Sequence, residues 1–192
     1  MTKRPTAAGK SSFDLIDRDR FFAALNLSEG TVLLDAGCGT GLYTLAAAER
    51  IGTAGVIYAV DLWKEGIASL SREVARRRLT NVHPLVADVS KRIPLPDQSV
   101  DVCLVATVLH DLAQDGTVEG ALREMGRVLK PEGLLAVVEF EKIDGPPGPP
   151  RAIRLSPAGL DAVLAPHGYR LLATKPVGPY NYLSLYRARL LL

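Results

Sequence analysis

One segment constrains the fold of this chain more than any other. The apolar run 31–34 leads into Asp35 and a loop with glycine at positions 37, 39 and 41, and the Ala- and Leu-rich residues 42–51 follow. Glycine permits a sharp turn and lets a ligand approach the backbone where a Cβ would clash. The segment predicts a buried strand, a ligand-admitting turn and a helix. A tight turn without any ligand is the alternative for the loop alone.

Short apolar runs alternate with longer helical stripes along the rest of the 192 residues. Strands are predicted at 31–34, 55–60, 82–86, 100–106, 134–140, 169–174 and 182–188, and helices at 13–27, 42–51, 64–78, 117–129 and 156–166. Such alternation predicts an α/β fold with a mainly parallel, seven-stranded, doubly wound sheet and helices on both faces. The last two strands have no helix between them, so the sheet should end with a C-terminal antiparallel strand.

Composition and charge restrict the classes of partner. The net charge of +2 is too small to indicate a nucleic acid or an anionic membrane. No apolar run is long enough to span a membrane and no signal peptide is recognisable, so a cytoplasmic location is expected. Residues 1–12 carry Lys3, Arg4 and Lys10 among small residues and predict a disordered basic tail, which leaves 13–192 as one domain.

The two cysteines indicate neither a metal site nor a disulfide framework. Cys38 and Cys103 lie far apart, and no Cys/His spacing of a zinc site is present. Both fall inside predicted core elements, where cysteine is usually a small buried hydrophobe. We therefore expect no bound metal.

The spacing of the glycines bears on the type of ligand. A dinucleotide-binding loop reads G-x-G-x-x-G, whereas residues 37–41 read G-x-G-x-G and follow Asp35. A carboxylate there would oppose a pyrophosphate but suit a cationic amine. A second acid, Asp61, ends the next strand, where it is placed to bind both ribose hydroxyls of an adenosine. Asp61 as a mere helix cap is the alternative.

Residues 31–110 resemble the class I methyltransferases that use S-adenosylmethionine, a Rossmann-like fold. They are most similar to small type-11 methyltransferases and also to quinone-biosynthesis methyltransferases. Five segments carry the resemblance, namely residues 35–41, 60–62, 87–89, 93–101 and 129–133. The resemblance implies S-adenosyl-L-methionine as cofactor and a methyl acceptor that the sequence does not identify, expected to be a small molecule.

The resemblance also implies roles for individual residues. Asp35, Ala36, Gly37 and Gly39 form the loop that holds the methionine part of the cofactor, with Asp35 near its amine. Asp61 would bind the ribose and Leu62 would lie beside the adenine. Asp88 would face the adenine amine, Val89 the ring, and Ala106 the methionine part. Asp88 as a turn or cap residue is the alternative.

His110 is the candidate catalytic residue, because it follows the fourth strand of the sequence and imidazole titrates near neutral pH. Three readings stay open: a general base, a wall or cofactor contact, and neither. Asp111 would orient His110 or cap a helix. Methyl transfer from a sulfonium also proceeds without a base when the acceptor needs none.

The sequence indicates the residues that bind the methyl acceptor less clearly than those that bind the cofactor. The sequence offers Glu141, the aromatic Tyr180 and Tyr182, and Arg151 and Arg154 of the Pro-rich loop as candidates, each with a packing or solvated alternative. Phe13 and Phe22 would form a lid over the cofactor or dock on the sheet. Two other functions remain as alternatives, a non-catalytic sensor of the same fold and an NAD-dependent oxidoreductase. A homodimer is also left open.

Overall fold

The computed structural model describes residues 8–188, and these form a seven-stranded sheet. The strands are β1 (Val32–Ala36), β2 (Val56–Asp61), β3 (Val82–Val86), β4 (Val100–Ala106), β5 (Leu129–Phe140), β6 (Tyr169–Pro176) and β7 (Asn181–Ala188). Their order is β3-β2-β1-β4-β5-β7-β6. Strands β1 to β5 pair in parallel, and β7 runs antiparallel to both β5 and β6. The predicted fold class is confirmed.

Helices cover both faces of the sheet. They are α1 (Arg18–Leu25), α2 (Leu42–Ile51), α3 (Lys64–Arg77), α4 (Leu109–Gln114), α5 (Val118–Val128) and α6 (Pro157–Leu164). Successive strand residues point to opposite faces. Leu34 accordingly packs in the cluster that holds α5 and α6, and Leu33 packs with α1 and α2. Both leucines are fully buried.

The N-terminal segment differs from the sequence prediction. The single helix expected at 13–27 is wrong, because a 3-10 turn at Phe13–Leu15 precedes a separate α1. Asp17 makes the break: its backbone N–H donates to Val177 O (2.6 Å), and its side chain caps α1 by accepting from Arg20 N (3.0 Å).

The same segment belongs to the core. Phe13 and Phe22 are both buried in the cluster beside α2, so they dock on the sheet rather than form a separate lid. Residues 1–7 of the predicted tail lie outside the described residues. Ser12, at its predicted end, is only 1% exposed and is therefore packed.

Two further boundaries were missed. The strand predicted at 134–140 begins at Leu129, directly after α5, and its pairing with β4 shifts register between Val100 and Val102. Residues 109–114 form α4, although the sequence analysis predicted no helix there. The first residues of α4 thereby take fixed positions at the end of β4.

Strand β1 lies between β2 and β4. The chain first adds β2 and β3 on one side of β1 and then adds β4 and the later strands on its other side. The carboxyl ends of parallel strands at such a switch point form a crevice, which is where ligands bind in open α/β sheets. The loops after β1, β2, β4 and β5 all meet at this edge.

Candidate active site

The loop after β1 is fixed by hydrogen bonds at its start and has free space beside Gly39. The N–H groups of Gly37 and Cys38 both donate to Val60 O, at 2.8 and 3.2 Å. Gly37 has φ +78°, and a Cβ there would lie 2.7 Å from a methyl carbon of Val108. Gly39 has φ +58° but no atom within 4 Å of the position of its missing Cβ. The loop therefore needs glycine at 37 for packing and offers free space at 39.

Asp61 connects the ends of β1 and β2. Its Oδ2 accepts from Gly39 N (2.8 Å) and its Oδ1 from Trp63 N (2.8 Å). The residue is half-buried, as is its neighbour Leu62, so both remain accessible from the crevice. A carboxylate retains further acceptor capacity after two such bonds. The acid predicted to bind ribose thus lies against the glycine loop.

Asp35 is deeply buried at the end of β1, with a relative exposure of 1%. Its Oδ2 accepts from the Thr44 hydroxyl at 2.5 Å, and Ala36 beside it is fully buried. Burial raises the pKa of Asp35 to about 7, although the Thr44 hydrogen bond acts in the opposite direction and the charge of Asp61 adds to the rise. A cationic group placed nearby would restore the ionised form.

Asp88 occupies the turn after β3 and supports that turn. Its Oδ1 accepts from the backbone N–H (3.0 Å) and the hydroxyl (2.6 Å) of Ser90, and Lys91 Nζ lies 3.4 Å from Oδ2. Burial would raise the pKa of Asp88, but the hydrogen bonds from Ser90 and Lys91 outweigh it and keep the pKa below its usual value. Val89 packs in the core at 6% exposure. Their roles toward an adenine stay predictions.

The end of β4 joins three segments of the site. Ala106 is half-buried, and Thr107 after it has φ +55°. The Ser12 hydroxyl lies 3.2 Å from the Thr107 hydroxyl and 2.9 Å from that of Tyr43 on α2. These contacts bring the N-terminal segment to the same edge as the glycine loop.

His110 is held by a carboxylate on the next strand. Its Nδ1 lies 2.7 Å from Glu139 Oε2, and its backbone N–H donates to Glu139 Oε1 at 3.1 Å. His110 is 4% exposed and Glu139 is fully buried. The ring nitrogen Nε2 lies 3.5 Å from Asp111 Oδ1.

The electrostatics of His110 reflect opposing effects. Burial lowers the pKa of His110, but the hydrogen bond and charge of Glu139, with the charge of Asp111, leave the pKa raised above its ordinary value. The positive charge of Arg154 acts in the lowering direction. The ring is thus a titratable group with Nδ1 fixed by Glu139 and with Nε2 near the carboxylate of Asp111. The sequence did not identify Glu139 as this partner, although a glutamate within the apolar run 134–140 was a signal.

The candidates for the acceptor side differ in their surroundings, and Arg154 departs from both of its predicted roles. Tyr182 is 1% exposed and its hydroxyl donates to Leu155 O at 2.7 Å, so it is a core residue. Arg154 is 1% exposed and binds backbone carbonyls, so it does not solvate the loop. Tyr180 and Glu141 are half-buried, and the backbone of one is bonded to that of the other at 2.8 Å. Arg151 is exposed.

Two absences concern the described residues 8–188 alone. No group of three or more His, Cys, Asp or Glu side chains is arranged there to hold a metal ion. Within that range, no helix is long and apolar enough to cross a membrane.

Known proteins share both the sequence motifs and the fold. A demethylmenaquinone methyltransferase from Geobacillus sp. (strain WCH70) is 33% identical over 122 residues, 64% of this chain and 50% of that protein. A ubiquinone/menaquinone biosynthesis C-methyltransferase from Paraburkholderia phymatum is 35% identical over 127 residues, 65% of this chain and 49% of that protein. The chain therefore spans about half the length of these curated relatives.

A solved structure covers nearly the whole chain. A SAM-dependent methyltransferase from Aquifex aeolicus superposes with a TM-score of 0.86 and 28% identity, over 98% of this chain and 100% of that one. A family model described as a methyltransferase domain matches residues 34–137. These matches confirm the predicted class, with S-adenosylmethionine as its cofactor. The chain belongs to the methyltransferase domain family.

Proposed function

We propose that this chain transfers a methyl group from S-adenosylmethionine to a small-molecule acceptor, a hydroxylated ring of the quinol type. One observation carries the proposal: Asp61 binds the N–H of Gly39 at 2.8 Å beside open space at that glycine. A ribose-binding acid and a loop that admits a ligand thus lie together at the switch point of the sheet. The names of the relatives, which are quinone-pathway methyltransferases, support the acceptor class.

The residues present fit the cofactor. Space at Gly39 admits its methionine part, and buried Asp35 offers a carboxylate for the amine. Asp61 retains acceptor capacity for the ribose hydroxyls, and half-buried Leu62 lies beside the place expected for adenine. When bound, S-adenosylmethionine supplies an electrophilic methyl group on its sulfonium sulfur.

His110 serves as proton acceptor in this proposal. Glu139 would hold the proton of the ring on Nδ1, and Nε2, which lies 3.5 Å from Asp111 Oδ1, would take the proton of an acceptor hydroxyl. Removing that proton would increase the electron density at the ring carbon ortho to the oxygen-bearing carbon. That ortho carbon would form the new bond to the methyl group as the sulfonium is converted to a neutral thioether, and its own hydrogen would leave as a proton to solvent, which restores the aromatic ring.

A buried His–Glu pair favours an acceptor that must lose a proton. An acceptor amine that is already neutral would need only alignment with the methyl group. Strand β4 lies between β1, which leads into the glycine loop, and β5, which carries Glu139. The acceptor would bind between the loops after β4 and β5.

Methyl transfer to 1,4-naphthohydroquinone, kept reduced, tests the proposal. With S-adenosylmethionine labelled in its methyl group, the wild-type protein should produce a labelled ring methylated on carbon. His110→Ala should lower the turnover by about 100-fold or more, the scale of a lost general base. Binding of S-adenosylmethionine without any transfer would instead support the sensor, and transfer that His110→Ala leaves unchanged would refute the base. The cytoplasmic location and the oligomeric state stay predictions.

A further inference from the structure

The loop that follows β5 is gathered around one buried arginine. Arg154 is 1% exposed, and its Nε donates to Pro149 O at 2.8 Å. Its Nη1 donates to Glu141 O at 3.1 Å, and its Nη2 donates to the carbonyls of Gly145 and Pro147 at 2.6 and 2.8 Å. Four of the five N–H donors of a guanidinium are thus used by one loop.

All four partners are neutral carbonyls. Among residues 8–188, no carboxylate forms an ion pair with Arg154. A buried charge without a counter-ion is costly unless dipoles solvate it, so the carbonyls replace both water and counter-ion. In the loop conformation of this structure, the carbonyls at 141, 145, 147 and 149 all point to a single guanidinium. The arginine and the loop therefore fix each other.

The loop rests against the acceptor side of the site. The guanidinium lies over the Phe140 ring, 5.5 Å from its centroid, and the centroids of the Phe140 and His110 rings are 6.4 Å apart. Gly148 also touches this ring, since a Cβ there would lie 2.7 Å from Phe140 Cδ1. Phe140 is thus clamped between the loop and His110.

We propose that Arg154 is a positioning residue that holds residues 141–150 as a preformed wall beside His110, and that this wall selects the methyl acceptor. The inference rests on the proposed function, since it assigns the acceptor to this side of His110. Because the wall is already ordered, binding of the acceptor does not require a further loss of conformational entropy in residues 141–150. The hydrogen bonds of Arg154 go to residues 141–149 and not to the loop after β1, so we expect cofactor binding not to depend on it.

Arg154 also contributes charge. The charged groups that act on His110 come from β5 (Glu139), from α4 (Asp111) and from the loop (Arg154). The two acids favour the protonated ring and the guanidinium opposes it. Removal of the positive charge should therefore raise the pKa of His110, whereas a lysine retains the charge but lacks the planar set of five donors.

Three variants separate the two contributions. Arg154→Lys keeps the charge but lacks the planar guanidinium, and Arg154→Met removes both. Arg170→Met, which removes an exposed charge on β6, is the control. Hydrogen exchange of residues 141–150, the Kd for S-adenosylmethionine, and kcat and KM with 1,4-naphthohydroquinone are measured against pH. Both Arg154 variants should increase exchange and raise KM by about tenfold, with the cofactor Kd unchanged. Only Arg154→Met should move the acidic limb of kcat to higher pH.

The outcomes distinguish the proposals. Unchanged exchange and KM in both Arg154 variants would overturn the positioning role. An equal loss of cofactor affinity and of acceptor affinity, with a lower Tm, would mean that Arg154 supports the fold as a whole, which also overturns it. If the wild-type protein transfers no methyl group, the proposed function and the acceptor wall fail together. Hydrogen exchange alone then decides whether Arg154 holds the loop.

Discussion

Glu139 and His110, 29 positions apart in the chain, form a buried pair in which Nδ1 of the imidazole lies 2.7 Å from a carboxylate oxygen. The other carboxylate oxygen accepts the backbone N–H of His110, so the glutamate fixes both the ring and the start of α4. This double contact determines which ring nitrogen carries the proton. It gives the His110 ring a defined orientation at the end of β4.

Glu139→Gln should change the pH dependence of methyl transfer as well as its rate. Without the carboxylate, burial lowers the pKa of His110 and the opposing effect of Glu139 is lost. In the proposed mechanism the neutral ring is the proton acceptor, so the rate should fall as the pH drops below the pKa of His110. The acidic limb of kcat should therefore move to lower pH, and kcat should fall at all pH values because the ring loses its orienting partner.

Glu132→Gln is the matched control, since Glu132 also lies on β5, near the opposite end of the strand from Glu139, and its side chain is 76% exposed. Its pH profile should equal that of the wild-type protein. An acidic limb that stays in place in Glu139→Gln would show that His110 is not the group that titrates in the reaction.

Asp35→Asn should remove a pH-dependent loss of stability. The pKa of Asp35 is raised to about 7 in the folded chain, chiefly by burial. Between about pH 4 and 7 the folded protein keeps a proton that the unfolded chain releases, so the free energy of unfolding falls as the pH rises, by up to about 1.4 kcal/mol per pH unit. Asparagine keeps an oxygen for the Thr44 hydroxyl but does not titrate.

Urea unfolding of the wild-type protein and of Asp35→Asn across this pH range measures the effect. The difference in free energy between the two proteins isolates the carboxyl, because the other groups titrate in both. The variant should gain stability relative to the wild-type protein as the pH rises. A difference that is constant from pH 4 to 7 would contradict the raised pKa.

Asp88 can be tested for a role beyond its turn. Asp88→Ala and Ser90→Ala remove opposite partners of the same hydrogen bond, which measures 2.6 Å between Ser90 Oγ and Asp88 Oδ1. If Asp88 also contacts the adenine, Asp88→Ala should weaken the binding of adenosine by about tenfold while Ser90→Ala weakens it less. Equal small losses of adenosine affinity in both variants, measured by calorimetry, would show that Asp88 only stabilises its turn.

Local patterns were sufficient to predict the sheet. Each parallel strand is a short apolar run between turn residues, and the helices between them are long enough to identify a βαβ sequence. Helix α4 was missed because it has only six residues and no side-chain cap. The N-terminal helix was predicted too long because the hydrogen bond from Asp17 to Val177 joins residues that are distant in the sequence.

The sequence could predict the part of the candidate site that short motifs contain. The glycine loop follows β1 and Asp61 ends β2, and the structure brings Asp61 into contact with Gly39 of this loop. The partners of His110 and Arg154 come from other segments, and their burial depends on packing that no local pattern encodes. Arg154 was misjudged for this reason, since a charged residue after a Pro-rich stretch usually faces solvent.

Calorimetric titration with S-adenosylmethionine tests the central claim most directly, because the account depends on the loop after β1 and on Asp61. The wild-type protein should bind S-adenosylmethionine and its demethylated product, and it should not bind NAD. Asp61→Ala should weaken binding by about 1–3 kcal/mol, whereas Asp19→Ala, which changes a side chain that is 94% exposed, should bind as the wild type does. The single tryptophan, Trp63, donates its backbone N–H to Asp61 and offers an independent fluorescence readout. No binding of either adenosyl ligand, or an unchanged affinity in Asp61→Ala, would contradict the account.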